Sequence, residues 1–163
     1  MIIALPAFGV AAAGQSLSQR GFAEGRLFLF PQPAPNDPVR AIGDALVREE
    51  VFVKAAPWIQ FAGGVDLRAG SHDEVDECWT IDASDRGLRR PRISVRRVSA
   101  TMTRAWLTVD VGKQFIRWGK TDIVAPTDRF APRDFLNVVD SDFIAVTGAR
   151  AAVQHGGDTL DLV

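Results

Sequence analysis

The chain has 163 residues, 47% of them hydrophobic and 24% charged, with a formal net charge of -1. That balance suits a globular domain and equally a membrane barrel with polar lumen and loops. It argues against nucleic acid as the main partner, because no excess of cations is present to neutralise phosphates. Cys78 is alone, which excludes an intrachain disulfide, and no apolar run reaches the ~18 residues of a membrane-spanning helix.

Residues 1–13 are apolar and end in Ala11-Ala12-Ala13 before Gly14 and Gln15. An apolar stretch closed by small residues reads as the core and cleavage site of a secretory signal, here a remnant without the basic leader. The alternative at this position is a buried strand or helix opening a globular domain. A first strand is expected from Gly21 to Phe30, with Leu27 and Leu29 on one face and Glu24 and Arg26 on the other. Pro31, Pro33, Pro35 and Pro38 then mark a loop to Asp44. The second strand is expected over Ala45–Lys54 and the third over Trp58–Arg68, joined tightly at Ala55-Ala56-Pro57. A long polar loop, Ala69–Pro91, precedes a fourth strand at Arg92–Thr103. A turn near Arg104 leads into a fifth strand, Trp106–Trp118. The segment from Gly119 to about Ile144, with Pro126 and Pro132, is again a long loop. A sixth strand, Ala145–Gln154, turns at His155-Gly156-Gly157-Asp158 into a seventh that starts at Thr159.

Successive side chains of a strand point to opposite faces, and three of these stretches separate apolar from polar residues by parity. Val47, Val51 and Val53 oppose Arg48, Glu50 and Lys54. Ile59, Phe61, Val65 and Leu67 oppose Gln60, Asp66 and Arg68. Leu107, Val109, Val111 and Phe115 oppose Thr108, Asp110 and Gln114. The misfits are Glu49 and Lys113 on the apolar face and Leu46 and Phe52 on the polar face. In the fourth strand the apolar parity switches near Arg96-Arg97, as a bulge or a misplaced strand would cause. The connections alternate long and short without exception. Outer-membrane barrels sort their loops this way, with short periplasmic turns and longer outer loops, whereas a soluble sandwich alternates hydrophobicity without sorting its loops. The residues therefore point to an all-β, antiparallel up-and-down transmembrane β-barrel, with lipid on the apolar side and water on the polar side.

Candidate reactive groups are few. His72, Asp73, Glu74, Asp76, Glu77 and Cys78 crowd one loop, but the spacing is not that of an EF-hand, and a solvated acidic loop is expected. Arg86, Arg89, Arg90, Arg92, Arg96 and Arg97 form a basic run. Its guanidinium forks suit lipid phosphates or nearby carboxylates, but a solvated face is expected. Neither histidine is placed as a general base, and no phosphate-cradling glycine motif occurs. No enzymatic activity, no cofactor and no metal are expected.

One segment carries a resemblance. Arg117-Trp118-Gly119-Lys120-Thr121-Asp122, then Pro126-Thr127-Asp128 and Pro132-Arg133-Asp134, resemble a family of poorly characterised Gram-negative outer-membrane porin-like barrels related to alginate-export channels. The match is strongest over residues 112–142 and looser from Gly21 onward, and the chain lacks the tyrosine common in such proteins. The resemblance implies an outer-membrane channel, and its relatives' greater length implies that residues 14–163 are the N-terminal portion of one larger barrel. An open set of seven strands agrees with that, since bacterial barrels close with an even number from eight upward. The expected lumen-facing residues are Arg48, Glu50, Lys54, Gln60, Asp66, Arg68, Thr108, Asp110 and Gln114. Lys120, Asp122, Asp128, Arg129, Arg133 and Asp134 are expected to fold inward as a constriction or to bridge one another within the loop. The expected partners are outer-membrane lipid and a small or polymeric solute. Two other readings stay open: an exported soluble β-sandwich or lipocalin-like binding module, and a surface structural or adhesion protein using its long loops.

Overall fold

The computed structural model describes residues 2–5, 9–12, 15–33, 35–84, 87–116, 131–134 and 142–163. Its strands are β1 (Ile2–Leu5), β2 (Gly9–Ala12), β3 (Gln15–Leu29), β4 (Ala41–Ala56), β5 (Ile59–Gly70), β6 (Ile81–Asp82), β7 (Ile93–Arg104), β8 (Leu107–Gln114), β9 (Val146–His155) and β10 (Asp158–Leu162). There is no helix among the described residues. Eight strands follow one antiparallel up-and-down path, β1-β3-β4-β5-β7-β8-β9-β10. β2 also pairs with β3, and β6 adds a two-residue parallel pairing to β7. β1 and β10 end the path, and among the described residues no pairing joins them.

All seven expected strands are present in the expected order. β3 begins at Gln15, six residues before the expected Gly21, because Gln15–Ser18 find antiparallel partners in Ala12–Gly9. The residues read as a signal remnant thus contribute two strands, β1 facing Gly21–Glu24 and β2 facing Gln15–Ser18. β8 was expected to reach Trp118 but ends at Gln114, and residues 117 and 118 lie outside the described residues. The long and short connections alternate as the sequence suggested, with two-residue turns at 57–58, 105–106 and 156–157. Two of these turns need a left-handed backbone, at Ala105 (φ 50) and Gly156 (φ 60), as tight hairpins do.

The chain divides into two compact units, one of residues 1–8, 19–50 and 64–95, the other of residues 9–18, 51–63 and 96–163. In the first unit the long connection between β5 and β7 is built on its own backbone. Val75 forms a parallel bridge with Arg90, Asp76 N donates to Arg90 O at 2.8 Å, and Arg90 N donates to Glu74 O at 2.9 Å. The basic run and the acidic cluster answer each other here. Arg89 meets Asp73 at 3.1 Å, and Arg92 Nε donates to the Asp76 carbonyl at 2.9 Å. In the second unit β7, β8 and β9 pair in continuous register, Val98–Arg104 against Lys113–Leu107 and Leu107–Gln114 against Val153–Val146.

Burial is inverted relative to a water-soluble protein. Among the described residues the buried polar side chains are Glu50, Asp66, Ser94, Lys113 and Gln114, whereas only Val75, Ala131 and Ala145 are buried and apolar. Val47, Val53, Phe61, Val65, Leu67, Val98, Met102 and Val111 are exposed. A folded chain in water normally covers its large apolar side chains and leaves charged ones outside. Here the pleat does the reverse.

The sequence misfits have local causes. Gly112 takes φ 120, a conformation open to glycine and strained for other residues. The alternation breaks there, so that Lys113 and Gln114, adjacent in sequence, are both buried. In β7 the even position 94 is buried while the even positions 98 and 102 are exposed. Arg96 and Arg97 both lay their guanidinium groups on the Phe115 ring, at 4.7 and 5.0 Å from its centroid. Two consecutive side chains on one ring mark the parity switch that the sequence indicated. Gly112→Ala should therefore destabilise by roughly 1–3 kcal/mol, as strained backbone does. A Cβ there would also overlap the Val98 carbonyl oxygen. Urea titration against wild type checks this, and an unchanged midpoint would show that the chain relaxes freely at that position.

Candidate functional site

The parity of β4 and β5 decides which side chains share a face, and in the first unit it brings the expected charges together. Arg48 on β4 clamps Asp66 on β5 with both arms of its fork, Nε to Oδ1 at 2.8 Å and Nη2 to Oδ2 at 3.0 Å. Arg68, two residues along β5, donates from Nη2 to the same Asp66 Oδ2 at 2.8 Å and from Nη1 to Ser94 Oγ on β7 at 2.8 Å. Toward β3, Arg20 Nε donates to Glu50 Oε2 at 2.7 Å. The Arg48 guanidinium also lies 5.3 Å from the Phe22 ring centroid. The result is a row of charge-assisted bonds running across consecutive strands. Asp66, at 1% exposure, is the most covered group in it. Bidentate arginine–carboxylate pairs are directional as well as strong, so this row fixes register between strands.

In the second unit the polar positions are bonded more lightly. Thr101 Oγ1 donates to Asp110, directly across the β7–β8 pair. Gln114 Nε2 lies 3.3 Å from both the Asp110 and Gly148 carbonyls. Thr108 and Thr103 place their hydroxyls 3.4 Å apart. Arg150 on β9 holds Asp161 on β10, with Nε 2.7 Å from Oδ1. Lys54 and Gln60, also expected on this face, are exposed and flank the turn at 57–58.

The loop expected to form a constriction is partly described. Lys120, Asp122, Asp128 and Arg129 lie outside the described residues. Arg133 and Asp134 lie in a short antiparallel contact, with Arg133 bridged to Phe143, Asp134 N donating to Asp142 O at 2.8 Å and Ile144 N to Pro132 O at 2.9 Å. The Arg133 guanidinium sits 4.4 Å from the Phe143 ring centroid. Asp142 accepts from Arg96 Nη1 of β7 at 2.9 Å, which ties this end of the loop to the strand.

Some contributing residues escaped the sequence reading. Arg20 precedes the first strand expected from the sequence, yet it pairs with Glu50. Ser94 is a small hydroxyl with no charge to draw attention. Trp58 and Trp106 form a third class. Each ends a two-residue turn, each is more than half exposed, and each turn's carbonyl accepts from the neighbouring strand, Trp58 O from Thr103 N and Trp106 O from Gln154 N. The signal was present in the sequence, as a tryptophan opening the expected third strand and another opening the fifth.

Chemically, the row offers fixed dipoles and charges but no assembled nucleophile and base. Among the described residues no group of three or more His, Cys, Asp or Glu side chains could hold a metal ion. No protein-family model, no curated protein and no solved structure matches this chain.

Proposed function

We propose that this chain forms part of the wall of a channel in the outer membrane of a Gram-negative bacterium, passing or exporting a solute through a polar lumen. The observation that carries this reading is the inverted burial: ion-paired and hydrogen-bonded polar side chains on the covered face of the strands, and bare valine, leucine and phenylalanine on the other. Lipid on one face and polar contents on the other are the surroundings that make this arrangement favourable. Strand length adds support, since β3, β4, β5 and β7 have 15, 16, 12 and 12 residues, more than the ~9–11 needed to cross a bilayer at a tilt. Trp58 and Trp106 fit the same picture, because exposed tryptophan beside a short turn suits the membrane–water interface.

In this reading Arg48, Glu50, Asp66, Arg68, Thr108, Asp110 and Gln114 face the lumen, with Lys54 and Gln60 near its short-turn mouth. The loop bearing Arg133 and Asp134 narrows it, held by Asp142 on Arg96. Export would remove residues 1 to about 13, freeing the β3 edge that β1 and β2 now occupy. The test is membrane fractionation of the expressed protein. A membrane-embedded species whose electrophoretic mobility shifts on boiling, with an N-terminus near Gly14, is the expected result. A water-soluble species with unchanged mobility overturns the reading.

A further inference from the structure

We propose that His72 and Asp37 form a pH-dependent clasp between two long loops, holding the β3–β4 connection against the start of the β5–β7 connection at neutral and mildly acidic pH and releasing it in alkali. His72 Nε2 lies 2.6 Å from Asp37 Oδ2. The two residues are 35 positions apart in sequence, so the contact joins separate loops. Asp37 is itself prepared for the role, because its other oxygen accepts from Val39 N at 3.0 Å and fixes the carboxylate's direction. Ser71, the residue before His72, is tied to β4 by uncharged contacts. Gly43 N donates to Ser71 Oγ at 2.8 Å, and Ser71 N donates to Gly43 O at 2.9 Å. The neutral contact anchors the start of the β5–β7 connection on β4, and the charged one sets whether the β3–β4 connection stays closed against it.

The sign follows from the surroundings of each group. The hydrogen bond to Asp37 raises His72 above its ordinary value of 6.5, with Asp37, Asp73 and Glu74 adding to the attraction for a proton. The hydrogen bond from His72 lowers Asp37 below its ordinary value of 3.8, helped by Val39 N. Arg89 is the opposing charge nearby, and it is engaged with Asp73. A raised histidine contributes stability that is complete below 6.5 and lost as the pH climbs through its raised value. A lowered aspartate contributes stability that is complete above 3.8 and lost as the pH falls through its lowered value. Both are charged between those limits, and only there is the clasp an ion pair.

The amide of Val39 reports the state of the clasp, since it is bonded to the Asp37 carboxylate. In the folded chain, its hydrogen exchange, corrected for its intrinsic pH dependence, should be about two- to fivefold faster at pH 9 than at pH 6, the scale expected of an exposed pair. Thr103, bonded in the sheet to Trp58 O, should stay equally protected at both. His72→Asn and Asp37→Asn should show the fast rate at both pH values, and His72→Lys, which keeps its charge, the slow rate at both. A pH-independent rate in wild type, or an unaltered pH response in His72→Asn, overturns the proposal. Neither outcome depends on whether the protein is a channel.

Discussion

On the proposed channel reading, Val65→Arg is expected to cost about 2–4 kcal/mol of folding stability in lipid vesicles, the penalty a cation pays on a lipid-facing strand near the bilayer midplane. Val65 lies at the middle of β5, between Gly64 and Asp66, and is 39% exposed. The experiment discriminates because the same substitution has two very different costs. At an exposed position facing water it should change stability by no more than ~0.5 kcal/mol. Urea-dependent folding of both proteins into vesicles gives the number. A loss within the small range would place the valine row in water and remove the membrane reading, whatever the remaining features suggest.

Asp66→Ala should be destabilising on the scale of 3–5 kcal/mol, about what is lost when one partner of a buried ionic group is removed. Asp66 receives three of the row's hydrogen bonds, two from Arg48 and one from Arg68, and the two arginine side chains are only 13% and 18% exposed. Removing the carboxylate leaves both cations beside a methyl group. Asp66→Asn should cost less, since its amide oxygen still accepts a hydrogen bond. Gln60→Ala, on the same strand but exposed, serves as the control and should stay within ~0.5 kcal/mol. A loss below ~1 kcal/mol for Asp66→Ala would mean that water already solvates the row and that the pairs carry little of the sheet's register.

Much of this was legible because strand periodicity depends on backbone geometry alone. Val47, Val53, Phe61, Val65 and Leu67 fall on the exposed face, and Arg48, Glu50 and Asp66 on the covered one, as parity required. Parity fails where the backbone departs from a regular pleat. Lys113 was assigned to the apolar face by counting from Val111, but the φ of 120 at Gly112 lies between them. Glu49 remains on the apolar parity, and its carboxylate lies against Gly21, where a side chain on β3 would collide with it. That accommodation involves a residue on a different strand and leaves no trace in local sequence. The same limit hid Arg20. Its pairing with Glu50 spans 30 positions and needs the register of β3 against β4, which no short window of sequence contains. The loop geometry was least legible. The bridge of Val75 to Arg90 and the Arg96–Asp142 tie depend on where the loop ends are brought by the strands.

Several polar side chains of the sheet find their partners on the adjoining strand of the path. Arg20 meets Glu50 on the next strand of the path, Arg48 meets Asp66, Arg68 meets Ser94, Thr101 meets Asp110, and Arg150 meets Asp161. Every one of these contacts closes as soon as the second of two successive strands has formed. Folding by local closures of this kind is fast compared with folding that awaits distant segments. On the proposed channel reading it would also set an order for entry into a membrane. Each hairpin can mask the charges it carries before the next is laid down, so an unmatched ion need not wait in hydrocarbon for a strand that has yet to arrive.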